Sequence, residues 1–140
     1  MYIDTSVAVK LYTREPDSDE CESLVADAGI VSSELLVGEL ASALFAKERA
    51  GQIATVQRER VWSLFEEHAA DGTIWLVALN GHLVRAAVEV MAEVNPHVPL
   101  RTLDALHLAT FLGIEAGPLF TRDRRMLDAA RRLNLPLAAN

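Results

Sequence analysis

Short runs of β-branched and aromatic residues alternate along this chain with longer segments whose apolar residues recur at helical spacing. The runs at 2–3, 30–31, 74–77 and 119–120 predict strands, and Leu137 is expected to close a fifth. Such alternation is typical of parallel strands joined by crossover helices. The sequence therefore predicts an α/β fold, a three-layer sandwich with a short-stranded, mainly parallel central sheet flanked by helices.

Amphipathic periodicity predicts where the helices lie. In the first helical segment the apolar residues recur at i, i+3, i+4 and i+7, and they are Cys21, Leu24, Val25 and Ala28. Comparable stripes predict helices over 33–50, 56–70, 83–94, 103–114 and 124–133. The inward-facing side chains expected in two of them are Val61, Leu64 and Phe65 in 56–70, and Val84, Val88 and Met91 in 83–94.

Length and composition are those of one globular domain. A chain of 140 residues can bury a single core, and no linker or repeat divides it, so we expect one domain over 1–140. Cys21 is the only cysteine, which excludes an internal disulfide and a cysteine-rich zinc site. With neither a signal segment nor a long apolar run, we expect a cytoplasmic protein with no membrane partner.

Two aspartates directly follow predicted strands. Asp4 comes after the strand at 2–3, and Asp123 comes shortly after the strand at 119–120. The carboxyl ends of parallel strands form the edge at which open α/β folds bind ligands. The alternative interpretation of Asp4 is a turn or helix-capping aspartate, and that of Asp123 is the N-cap of the helix that follows it.

Two further acids lie within apolar helical segments. Glu39 has leucines at i−4 and i−3 and an alanine at i+4, where an ionised carboxylate is costly unless it is paired or bound to a cation. Asp104 opens a helix that is apolar almost all round. As alternatives, Glu39 reaches solvent or an arginine from the edge of its stripe, and Asp104 is a first-turn acid favoured by the helix dipole. His107 is interpreted as a hydrogen-bonded core histidine and not as a metal ligand.

Convergence of these acids at one sheet edge favours a metal site. Two carboxylates about 4 Å apart repel by roughly 4 kcal/mol at an effective dielectric constant of about 20, so such a cluster ionises fully only beside a cation. An oxygen-only ligand set favours Mg²⁺ or Mn²⁺ over zinc. The expected ligands are Asp4, Glu39, Asp104 and Asp123.

The acids lie in four short motifs spread over the whole chain. These are Tyr2-Ile3-Asp4-Thr5-Ser6 followed by Lys10-Leu11-Tyr12, Ser32-Ser33-Glu34 leading to Glu39, Asp104-Ala105-Leu106-His107-Leu108-Ala109, and Phe120-Thr121-Arg122-Asp123 followed by Leu127. In this order and spacing the chain resembles the PIN-domain nucleases, and within them the VapC toxins of bacterial and archaeal toxin–antitoxin pairs.

The resemblance implies a function and a set of partners. It implies the toxin of a type II pair, an endoribonuclease that hydrolyses RNA phosphodiester bonds with Mg²⁺ or Mn²⁺. It also implies a homodimer, inhibited in a heteromeric complex by a cognate VapB-type antitoxin. The family's four acids match Asp4, Glu39, Asp104 and Asp123, and its supporting hydroxyls match Ser6 and Thr121.

The charge balance is unusual for a protein that binds RNA. The formal net charge is −7, whereas phosphate binding usually shows as an excess of Lys and Arg. The distribution is uneven, however, because arginines crowd the C-terminal end. We expect three of them, Arg122, Arg124 and Arg125, to contact the RNA backbone.

Other functions remain open from the sequence. An aspartyl phosphatase would also place an acid after its first strand, but the residue two beyond Asp4 is Ser6 and not a second aspartate. A receiver-type domain would need a lysine near its last strand, and the final lysine is Lys47. A catalytically weak PIN-like binding module, or a metal-dependent phosphatase or nuclease unrelated to toxin–antitoxin function, is the remaining alternative.

Overall fold

Four short parallel strands form the central sheet in the order β3-β2-β1-β4. The strands are β1 (Tyr2–Ile3), β2 (Ile30–Ser33), β3 (Ile74–Val77) and β4 (Leu119–Phe120). This architecture comes from a computed structural model, which describes residues 1–114 and 116–138. In the register, Tyr2 pairs with Val31 of β2 and with Leu119 of β4.

Helices cover both faces of the sheet. They are α1 (Thr5–Tyr12), α2 (Ser18–Val25), α3 (Leu35–Arg49), α4 (Thr55–Asp71), α5 (Gly81–Val94), α6 (Thr102–Ile114) and α7 (Arg124–Arg132). Successive residues of a strand point to opposite faces, so Tyr2 joins a core with α5, α6 and α7, while Ile3 joins a core with α1 to α4. The predicted three-layer α/β sandwich with a parallel sheet is confirmed.

The expected fifth strand at Leu137 is wrong. Leu137 forms an isolated parallel bridge with Leu119, and the hydrogen bonds beside it join Leu119 to Pro136 and Ala138. Because the chain follows β4 for only this short distance, a single bridge takes the place of a strand.

Helix α5 buries a different row of side chains from the one predicted. Val84 is 49% exposed and Val88 is 59% exposed, whereas Leu83, Ala87 and Val90 are buried. Both rows are apolar at a spacing of three to four residues, so periodicity alone does not choose between them. Packing against α6 selects the row that starts one residue earlier, and Met91 lies partly buried at its edge.

Two other inward residues are corrected. Leu64 in α4 is exposed, while its neighbour Phe65 is buried and Val61 is partly buried. Ala28 lies beyond the end of α2 at Val25, so it does not extend that helix's buried stripe. In the part of the chain that the structure describes, no helix has the length and apolar character needed to cross a membrane.

Ion pairs fix the segment that joins α1 to α2. Lys10 Nζ lies 2.8 Å from Glu15 Oε2 and 2.6 Å from Asp17 Oδ1. Lys47 Nζ in α3 lies 2.6 Å from Glu15 Oε1. Hydrogen bonds from Lys10 and Lys47 lower the pKa of Glu15 below its usual range. This segment is therefore tied to α1 and α3 by charge.

Replacing Lys10 by methionine is expected to lower Tm at neutral pH by about 3–6 °C. The loss of stability is modest because solvent partly screens these ion pairs. A depressed folded-state pKa contributes stability above the unfolded pKa, about 4.3 for glutamate, which is lost as pH falls through the folded pKa. The deficit of Lys10→Met should therefore shrink in acid. Thermal unfolding at several pH values measures it, with Arg14→Met as a control because the Arg14–Asp19 pair is exposed. Equal losses in both variants would contradict the prediction.

Candidate active site

Asp4 lies at the carboxyl end of β1 and caps the N-terminus of α1. Its Oδ1 accepts hydrogen bonds from the Ser6 hydroxyl at 2.7 Å and the Val7 amide at 3.3 Å. Its Oδ2 accepts from the Thr121 hydroxyl at 2.7 Å. Burial raises the pKa of Asp4 although these donors act to lower it. A buried carboxylate with a raised pKa gains more than an exposed one from a nearby cation.

The end of β4 is joined to Asp4 through hydroxyl groups. Thr121 Oγ1, which donates to Asp4, accepts a hydrogen bond from the Asp123 amide at 3.0 Å. Ser6 Oγ accepts from the Arg122 amide at 2.8 Å. Asp123 Oδ1 caps α7 by accepting from the amides of Arg125 and Met126. Ser6 and Thr121 thus hold the carboxyl ends of β1 and β4 together beside two acids.

Glu39 approaches the same edge from α3. Its Oε2 accepts from the Thr5 hydroxyl at 2.6 Å and lies 2.7 Å from His107 Nε2. Burial alone would raise the pKa of Glu39, but the hydrogen bonds from His107 and Thr5 outweigh it and lower the pKa. Glu39 lines an open groove with Thr5, Gly38 and Leu103.

Asp104 lies in the first turn of α6 and is partly buried. Its Oδ2 accepts from the Arg101 amide at 3.3 Å. Burial raises the pKa of Asp104, and the negative charges of Asp123 and Glu39 raise it further. The structure thus brings Asp104, Asp123 and Glu39 close enough for their charges to interact.

Three of the acids share one arrangement of their carboxylate oxygens. In each of them, the described residues donate hydrogen bonds to one carboxylate oxygen only. That oxygen is Oε2 of Glu39, Oδ2 of Asp104 and Oδ1 of Asp123. Within 1–114 and 116–138, no three His, Cys, Asp or Glu side chains already stand in an arrangement that could hold a metal ion.

The capping interpretations of the acids describe real contacts. Asp4 and Asp123 each cap a helix, and Asp104 accepts an amide hydrogen bond at the start of its own helix. These contacts do not exclude a site, because capping fixes each side chain at the sheet edge. Capping and clustering therefore coexist at these positions.

The three arginines expected to contact RNA differ in whether their side chains already pair with acids of the protein. The Arg122 side chain lies 2.7 Å from Glu20 and 3.6 Å from Asp17, and its guanidinium stacks on the Phe120 ring. It therefore ties the connection between β4 and α7 to α2. Arg124 is exposed and Arg125 is half-buried at the start of α7.

Two contacts of the site are not predicted by the sequence. The Thr5 hydroxyl donates to Glu39, and the Tyr2 hydroxyl lies 2.9 Å from His107 Nδ1. A histidine in an apolar helix indicates that a hydrogen-bond partner exists, but it does not identify that partner.

Comparison with known proteins adds an independent observation. The sequence profile of the PIN domain matches residues 1–132 of the chain. The chain belongs to the PIN domain family. This PIN domain is 35% identical over 144 aligned positions to Ribonuclease VapC46 of Mycobacterium tuberculosis, covering 99% of this chain and 96% of that protein. The resemblance to PIN-domain proteins of the VapC type is thereby confirmed.

Proposed function

We propose that this PIN domain is a VapC-type toxin, an endoribonuclease that hydrolyses RNA phosphodiester bonds with Mg²⁺ or Mn²⁺. One observation supports this most strongly: Glu39, Asp104 and Asp123 each have one oxygen held by the protein and one oxygen to which no described residue donates a hydrogen bond. Burial and mutual repulsion raise the pKa of Asp104, which a cation would offset. The relative named Ribonuclease VapC46 supports RNA as the substrate.

The chemistry of the donor set fits a hard divalent cation. Asp4, Glu39, Asp104 and Asp123 would hold it through carboxylate oxygens, the ligands that Mg²⁺ and Mn²⁺ prefer. When bound, the cation supplies Lewis acidity and charge neutralisation at the phosphodiester. Ser6 and Thr121 keep Asp4 in place by donating to both of its oxygens.

The partners follow from family membership and from the surface charges. We propose that a VapB-type antitoxin inhibits the enzyme in a heteromeric complex, that the toxin is a homodimer, and that it acts in the cytoplasm. We also propose that residues 1–140 form one PIN domain. Arg124 and Arg125 are proposed to contact the RNA backbone. The Arg122 side chain instead forms ion pairs with Asp17 and Glu20 within the protein.

Removing divalent cations is expected to abolish RNA cleavage, because the cation would supply Lewis acidity and charge neutralisation that the carboxylates themselves cannot supply. The measurement is cleavage of mixed transfer and ribosomal RNA with Mg²⁺, with a chelator, and after Mn²⁺ is restored, together with calorimetry of Mn²⁺ binding. Cleavage that persists in chelator would contradict metal dependence. A chain that binds an antitoxin peptide but neither cation nor RNA would be a binding module instead.

A further inference from the structure

A buried hydrogen-bonded chain connects the sheet to Glu39. Tyr2 in β1 places its hydroxyl 2.9 Å from His107 Nδ1, and His107 Nε2 lies 2.7 Å from Glu39 Oε2. Tyr2 is fully buried and His107 is 2% exposed. The same Glu39 oxygen accepts from Thr5 at 2.6 Å. Both donors therefore act on Oε2, and Oε1 has no hydrogen bond from the described residues.

The chemistry of the partners fixes the direction of the bond to Glu39. Of the two neutral tautomers of His107, the one with its proton on Nε2 places a donor against Glu39 Oε2. With its proton on Nε2, a neutral imidazole has an acceptor at Nδ1, and the Tyr2 hydroxyl supplies the matching donor. Tyr2 in β1 and Glu39 in α3 therefore orient one ring of α6 through its two nitrogens.

The surroundings of His107 argue against a role in packing alone. From 105 to 111, α6 is buried at every position, and only His107 and Thr110 are polar there. The Thr110 hydroxyl donates to the Leu106 carbonyl of its own helix and lies 3.4 Å from Ser33 Oγ in β2. His107 reaches across to Glu39 in α3. A buried polar side chain costs stability unless it is hydrogen-bonded, and here the bond ends on a candidate ligand.

We propose that His107 is a positioning residue, which fixes Glu39 through Oε2 and leaves Oε1 as the oxygen available to a divalent cation. Tyr2 acts one step further back by fixing the His107 ring. This inference rests on the proposed function only for the identity of the ligand. Partners of this kind, which orient metal ligands from behind, commonly change metal affinity when they are replaced.

Two substitutions of His107 separate positioning from packing. Glutamine places an amide nitrogen near the position of Nε2, whereas asparagine places one near Nδ1. We expect His107→Asn to weaken Mn²⁺ binding by about 10- to 100-fold and His107→Gln to stay within about threefold of the parent chain. Calorimetry with Mn²⁺ alone measures both, on protein shown to be folded by thermal unfolding. Tyr2→Phe, which keeps the ring, should fall between them.

His68 supplies a matched control. It forms the same kind of pair, with the Tyr12 hydroxyl 2.8 Å from its Nδ1, and it contacts none of the four acids. His68→Asn should leave Mn²⁺ affinity unchanged. The proposal is overturned if His107→Asn binds Mn²⁺ as the parent chain does, or if His107→Gln loses as much affinity as His107→Asn.

Nitrogen chemical shifts of the imidazoles test the geometry without any metal. We expect His107 Nε2 to carry a proton in the metal-free protein and its shift to move in Glu39→Gln. An unprotonated Nε2 would overturn the proposal. If the parent chain neither binds Mn²⁺ nor cleaves RNA, the proposed function fails, and these shifts still decide whether His107 holds Glu39.

Discussion

Replacing Asp4 by asparagine is expected to lower the rate of RNA cleavage by about 100-fold or more. Losses of this size are typical when one preorganised electrostatic interaction at an active site is removed. Asparagine is nearly isosteric and still accepts hydrogen bonds from Ser6 and the Val7 amide through its carbonyl oxygen. Thr121, which now donates to Asp4, would instead accept from the new amide. The structural contacts therefore survive, and the main loss is one negative charge at the sheet edge.

Asp128→Asn is the matched control for this variant. Asp128 follows Asp123 on α7, is exposed, and pairs weakly with Arg131 at 3.5 Å. The two substitutions make the same chemical change, one inside the acid cluster and one outside it. Cleavage rates in excess Mg²⁺ compare them. Full activity in Asp4→Asn, or an equal loss in Asp128→Asn, would contradict the assignment of Asp4 to the site.

Most of the fold follows from the hydrophobic pattern, because strand and helix periods differ strongly. Short runs such as 74–77 and amphipathic segments such as 83–94 were both predicted. The choice of buried face in α5 was not, since Val84 and Leu83 begin two apolar rows of the same spacing. Only the position of α6 decides which row is buried, and that position is not encoded in the helix itself.

The candidate site was predictable as a set of acids but not as a set of contacts. The position of Glu39 on an apolar stripe of its helix indicates that its charge needs a partner. The structure shows that its partners are Thr5 and His107. Those residues are 34 and 68 positions away from Glu39 along the chain. Pairing over such separations depends on strand order and helix placement. Arg122 illustrates the same limit, since it pairs with Glu20 of α2.

Function and stability are expected to oppose each other at this sheet edge. The acids that would bind a cation repel one another without it, as the raised pKa of Asp104 beside Asp123 and Glu39 indicates, with burial as its main cause. Active sites commonly retain such unfavourable groups because activity requires them. The metal-free protein should therefore become more stable when one of these charges is removed.

Asp104→Asn is expected to lower RNA cleavage by about 100-fold or more and yet to raise the free energy of unfolding of the metal-free protein by about 0.5–1 kcal/mol, after allowance for solvent screening. A raised folded-state pKa means that the folded state loses stability as pH rises from the unfolded value of about 3.9 through the folded pKa. Above the folded pKa that penalty is fully present, and asparagine removes it. The carbonyl oxygen of asparagine can still accept from the Arg101 amide.

A double-mutant cycle with Asp123→Asn tests whether repulsion is the cause. Asparagine is also a good N-cap, so the hydrogen bonds from Arg125 and Met126 should persist in that variant. The gain from Asp104→Asn should shrink by about 0.5 kcal/mol once Asp123 is neutral, because the two acids no longer repel. Urea unfolding in chelator measures the cycle, and added Mn²⁺ should reverse the order in favour of the parent chain. Strictly additive effects, or a destabilised Asp104→Asn in chelator, would contradict repulsion between Asp104 and Asp123 as the cause.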